Sequence, residues 1–154
     1  PTVGWLGPFL CVMLTYKGQV SYKDETAIRE DFFGDANSDT GYADMIDKAS
    51  WGQYKLRPSD VDFITIDTGT IDSTTFSRTA QSGGFVRADQ TYKDKIDTRP
   101  SSRPYTRTLV FEPGPGDSAA AIVNGFVSRY RGSWTGKGWQ VMAHELGHND
   151  GLFQ

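Results

Sequence analysis

Five consecutive residues, His144-Glu145-Leu146-Gly147-His148, constrain this chain more than any other stretch. They match H-E-x-x-H. Residues four apart on a helix share a face, so both imidazoles can address a single metal ion. Glu145, one position past the first histidine, is placed to take the proton of an attacking water. The chain has 2 histidines and both lie in this pentad, a concentration that core packing does not explain. Trp139, Val141, Met142 and Leu146 give the segment an apolar flank, as a buried helix requires. The plain alternative is an amphipathic helix whose histidines are merely solvated or hydrogen-bonded.

Beyond the pentad, Asn149-Asp150-Gly151 puts a glycine three residues past the second histidine, where the chain can turn sharply out of a helix. This is the spacing of the longer pattern H-E-x-x-H-x-x-G-x-x-H, whose last position supplies a further zinc ligand. Here that position is Gln154. The candidate Zn2+ ligands are therefore His144, His148 and Gln154. Catalytic zinc takes three protein ligands and a water, and an amide oxygen is a poorer donor than imidazole. A helix that descends from a zinc site but has lost its metal is the alternative on this point.

The chain is 154 residues long, enough for one domain with a real core. A hydrophobic fraction of 37% with 13% aromatic residues and 17 glycines suits a loop-rich globular protein. A net charge of −3 argues against a broad basic surface for nucleic acid. No apolar run reaches the roughly 18–20 residues of a membrane span, Val3 to Tyr16 being broken by Gly4, Gly7 and Pro8. No charged leader precedes an apolar stretch, and a chain starting at Pro1 reads as processed or partial. Cys11 sits in an apolar run and reads as a buried free thiol.

In chain order, Pro1 to Pro8 reads as an irregular lead-in. Phe9 to Tyr16 is a continuous apolar run suited to a central strand covered on both faces. A turn at Lys17-Gly18-Gln19 precedes a helix over Asp24 to Phe33, stopped by Gly34. Asp35 to Gly41 is a polar loop whose spacing does not match an EF-hand. Tyr42 to Ala49 reads as a short helix with Met45, Ile46 and Ala49 turned to the core. Trp51 to Leu56 and Val61 to Ile66 read as half-buried strands. Ser73 to Pro104 is the least informative part, with a helix expected around Asp89 to Ile96. Arg107 to Phe111 is a further strand, ended by Pro113-Gly114-Pro115-Gly116, and Gly125 to Arg131 another. Ser133 to Gly138 is the loop that delivers the chain into the histidine helix, and Trp134 and Trp139 there are candidates for core packing or for lining a cleft. The expected class is α/β (α+β), a mixed twisted sheet with an active-site helix at its C-terminal end.

H-E-L-G-H-N-x-G-L resembles the active-site helix of the metzincin zinc peptidases, and most closely that of the gametolysin family. Similarity extends to Phe9-Leu10-Cys11-Val12-Met13-Leu14-Thr15-Tyr16, to Asp31-Phe32-Phe33-Gly34, to Ala49 through Leu56 followed by Pro58, and to Leu109-Val110-Phe111-Glu112-Pro113-Gly114. The resemblance implies a zincin-like domain over residues 1–154, without the C-terminal subdomain and methionine turn. It implies His144 and His148 as zinc ligands and Glu145 as general base and acid. It also implies that the strand near Gly125, Phe126, Val127 and Ser128 is the edge that pairs with an extended substrate. Extracellular protein or glycoprotein substrates follow from the same resemblance.

Two departures stand out: Gln154 in place of a histidine, and Asp150 beside the motif, which puts a carboxylate near the histidines. A family member continues for many residues past this point. The chain therefore reads either as part of a longer peptidase or as a domain that has lost its ligand set and serves as a structural or interaction subunit. By itself it is expected to be an inefficient protease.

Overall fold

A computed structural model describes residues 3–69, 72–75 and 105–151. Its strands are β1 (Gly4–Trp5), β2 (Phe9–Tyr16), β3 (Gln19–Val20), β4 (Tyr54–Lys55), β5 (Val61–Asp67), β6 (Arg107–Glu112), β7 (Ser118–Ala121) and β8 (Val127–Arg131). Its helices are α1 (Glu25–Phe33), α2 (Tyr42–Ala49) and α3 (Gly138–Asn149). This is a mixed α/β arrangement. No helix among the described residues is long and apolar enough to cross a membrane.

The run FLCVMLTY forms the axis of the main sheet. β5 pairs with β2 in parallel from Phe9↔Val61 to Thr15↔Asp67, and β6 pairs with it in parallel from Phe9↔Arg107 to Met13↔Phe111. Two strands that share the same residues of β2 must occupy its opposite edges, which is why the run carries no polar side. Side chains alternate along it. Phe9 and Cys11 join Leu109, Phe111 and Tyr130 on the face that receives the helices, packing on Ile28, Phe32, Tyr42, Met142 and Leu146. Leu10, Val12 and Leu14 point the other way, with Ile66, Val110 and Val127. Cys11 is fully buried and free, and burial pushes its thiol pKa well up.

On the helix side, aromatic rings knit α1 and α2 to the sheet. Phe9 lies 6.1 Å from Phe32 and 6.4 Å from Tyr42, and Phe32 meets Tyr42 edge-on at 6.0 Å. α1 starts one residue later than the sequence places it, because Asp24 serves as the N-cap, its Oδ1 accepting from the Ala27 amide at 2.8 Å. α2 approaches α1 so closely that a Cβ on Gly41 would meet the Phe32 carbonyl oxygen at 2.7 Å. Between them, Asp35 Oδ1 accepts from the amides of Asn37 (2.7 Å) and Ser38 (3.0 Å), so this carboxylate shapes the loop.

Three expectations change. Trp51 to Leu56 is not one strand: Trp51 (φ +56°) and Gly52 (φ +77°) are both left-handed, which breaks the extended run and leaves only Tyr54–Lys55 as β4. The lead-in is not wholly irregular, because Gly4 and Trp5 pair in parallel with Tyr54 and Lys55. The last strand begins at Val127, and an unforeseen strand, β7, precedes it and pairs with it antiparallel. The helix expected around Asp89 to Ile96 falls outside the described residues.

Candidate metal centre

α3 is laid against the helix-side face, touching β7, β8, α1 and α2. Met142, Glu145, Leu146 and Asn149 are its buried residues, at the i, i+3, i+4, i+7 spacing of an inward stripe. Its first residue has to be small. A Cβ on Gly138 would overlap Asp31 Oδ1 and crowd Lys23 Nζ, the two members of an ion pair that braces the start of the helix from α1 and the segment before it. At the far end, the Asn149 side chain donates to the Ile122 carbonyl (3.1 Å) and the His148 carbonyl accepts from the Asn124 amide (2.9 Å). The turn leading into β8 is thereby tied to the last turn of α3.

His144 and His148 stand together on the side of this helix. Their rings meet edge-on at 4.6 Å, with Nε2 atoms 3.1 Å apart. Zinc held by nitrogens at about 2.0–2.1 Å in tetrahedral geometry separates two ligands by about 3.3 Å. The pair of imidazoles fits that separation. His144 is exposed and His148 half-buried, so the ion would sit at the protein surface, reachable from outside.

Glu145 is buried at 6% exposure, and its Oε2 has no hydrogen-bond partner. A buried carboxylate lacking a donor is costly. Burial pushes its pKa above the ordinary carboxylate value, opposed by His144, His148 and Arg129. Beside it opens a cleft of about 330 Å³ lined by Ala119, Trp134, Gln140, Val141, His144 and Glu145. An acceptor without a donor at the wall of an open cleft, next to paired imidazoles, is equipped to receive a proton from a guest.

Among the described residues, no group of three or more histidines, cysteines or acids is arranged to hold a metal ion. Gln154 lies outside the described residues. Asp150, the carboxylate expected near the histidines, forms an ion pair with Arg107.

The substrate-edge reading of Gly125, Phe126, Val127 and Ser128 is corrected. The strand order runs β3-β2-β6-β8-β7, so β8 is flanked by β6 and β7 and is not the edge. Val127 and Ser128 are fully buried. Gly125 belongs to the turn before β8, and the Phe126 carbonyl accepts from the Thr108 amide of β6 at 2.9 Å. Among the described residues β8 is followed in the sheet by β7, whose Ala119 lines the cleft.

Trp134 lines the histidine cleft, whereas Trp139 lines a neighbouring cavity. Sequence reasoning missed Asp117, Lys23 and Asp31, which hold the approaches to α3. Their signal, an acid or base facing an obligatory glycine, exists only once the chain is folded. Compared with protein-family models, curated proteins and solved structures, the chain gives no match.

Proposed function

We propose that this domain belongs to a zinc-dependent endopeptidase of the metzincin type, similar to the gametolysin family, acting on proteins or glycoproteins outside the cell. The observation that carries the reading is the pairing of two Nε2 atoms 3.1 Å apart with an adjacent buried carboxylate oxygen that has no partner. His144 and His148 would hold the ion. When bound, zinc would supply Lewis-acid polarisation of a peptide carbonyl and a lowered pKa for water. Glu145 takes the proton of the attacking water at Oε2 and passes it to the leaving amine. Its burial favours the protonated form, which suits the second of those roles. α3 keeps the three side chains in register because Gly138 and Asn149 fix its two ends.

A second reading draws on the donor set. Two imidazoles hold zinc weakly, and the position that should supply a third is Gln154. On that reading the domain is a catalytically inactive subunit of a larger protein assembly. Zinc per chain, measured by elemental analysis on protein from its native source, separates the two. A value near one that falls to zero in His144→Ala supports the peptidase reading. A value near zero in the native protein removes it.

A further inference from the structure

The cleft over Glu145 has a wall that proton transfer does not use. Trp134 lines it beside Ala119, Val141 and His144. The same residue lines a second cavity of about 410 Å³, together with Lys23, Asp31 and Trp139. Trp134 therefore borders two cavities. Its backbone is left-handed at φ +47°, an outlying setting for a bulky side chain. The surroundings enforce it: Asp117 Oδ1 accepts from the amides of Ser133 (3.1 Å) and Trp134 (3.4 Å), and the Trp134 carbonyl accepts from the Lys137 amide (2.8 Å). Despite this anchoring, indole Nε1 is buried with no acceptor, where a buried indole N–H ordinarily finds one. Strained backbone of this kind gathers at ligand clamps and active sites.

We propose that Trp134 reads the substrate. An apolar side chain of the bound peptide packs on the indole, beside Val141 and Ala119, and the ring turns on binding so that Nε1–H donates to a peptide carbonyl. The proposal rests on the peptidase reading of the cleft. Asp117 accepts from the backbone amide of Trp134, which fixes the Cα about which the ring turns in this proposal.

The test follows the indole N–H signals of 15N-labelled protein. The one missing in Trp134→Phe belongs to Trp134; if that variant does not fold, Trp5→Phe, Trp51→Phe and Trp139→Phe assign it by elimination. The probe is a tryptic digest of casein, with triglycine as the control lacking apolar side chains, and zinc content and hydrolysis are read on the same samples. The Trp134 signal is expected to shift with the casein peptides and not with triglycine. Trp134→Phe, which keeps a ring but loses the donor, is expected to weaken peptide binding about 2- to 10-fold. A signal that stays fixed while the peptides are cleaved overturns the role of Trp134 and leaves the peptidase reading standing. A fixed signal with neither zinc nor hydrolysis overturns both. A shift without zinc or hydrolysis upholds Trp134 as a peptide-binding residue and removes the peptidase reading.

Discussion

The strip where β2 meets β5 and β6 and the rim of the histidine cleft follow opposite rules. In the strip, Leu10, Cys11 and Val12 have no exposed surface, and each is paired on both edges. On the rim, Glu145 Oε2 and Trp134 Nε1 are buried without partners, and Trp134 adopts left-handed backbone. Both regions belong to one sheet-and-helix stack, so the contrast is not one of ordered and disordered chain. The strip satisfies every local rule. The rim breaks several within a few residues, and such violations concentrate where a protein handles a ligand.

Glu145→Gln strikes the contrast hardest. Hydrolysis should fall by about 10²- to 10⁴-fold, while the melting temperature holds or rises, because a neutral amide costs less to bury there than a carboxylate. A matching loss of thermal stability would mean that Glu145 is structural and that the contrast fails. Leu10→Ala should do the reverse. It should cost about 2–5 kcal/mol of stability, read from urea unfolding, and leave zinc per folded chain unchanged.

Gly138→Ala probes the junction between the two regions. Its methyl group would displace the Lys23–Asp31 pair, costing about 1–3 kcal/mol, and zinc retention measured against a chelator should drop with it. If zinc retention is unaltered, the bracing of α3 has no bearing on the histidines. The smallest effect is expected at Asp60, in the turn just before β5. The hydrogen bond from Arg57 holds its carboxyl below the ordinary value. A depressed folded-state pKa contributes stability above the unfolded pKa, and that contribution is lost as pH falls through the folded value. Asp60→Asn should therefore lower the melting temperature slightly near neutrality and make no difference at strongly acid pH.

Much of the strip was legible because each of its residues answers to one local signal. FLCVMLTY is apolar throughout, and Asp24 and Gly34 bracket α1 by cap chemistry alone. The His144, Glu145 and His148 constellation was equally readable, since helical spacing by itself brings the two rings together. β7 was not readable. Ser118-Ala119-Ala120-Ala121 carries no strand preference, and its extended form comes from pairing with β8. The resemblance made β8 the expected edge, and β7 covers that side of it. Trp51 misled in a similar way: an aromatic in an alternating run reads as strand, yet it is 93% exposed on a left-handed turn.

The register of β2 carries one more consequence, for the order in which the molecule can be made. Its two parallel partners are far away in the chain, and the Thr106–Pro8 bond that begins the pairing with β6 closes 98 residues. Such distant pairings are slow to form, because the entropy of closing a long loop is spent before any contact returns it. During synthesis this apolar strand therefore emerges before both partners and waits, with one edge unmatched, until β6 has left the ribosome. α3 follows later still. The histidine pair can only be seated on a sheet that is already complete.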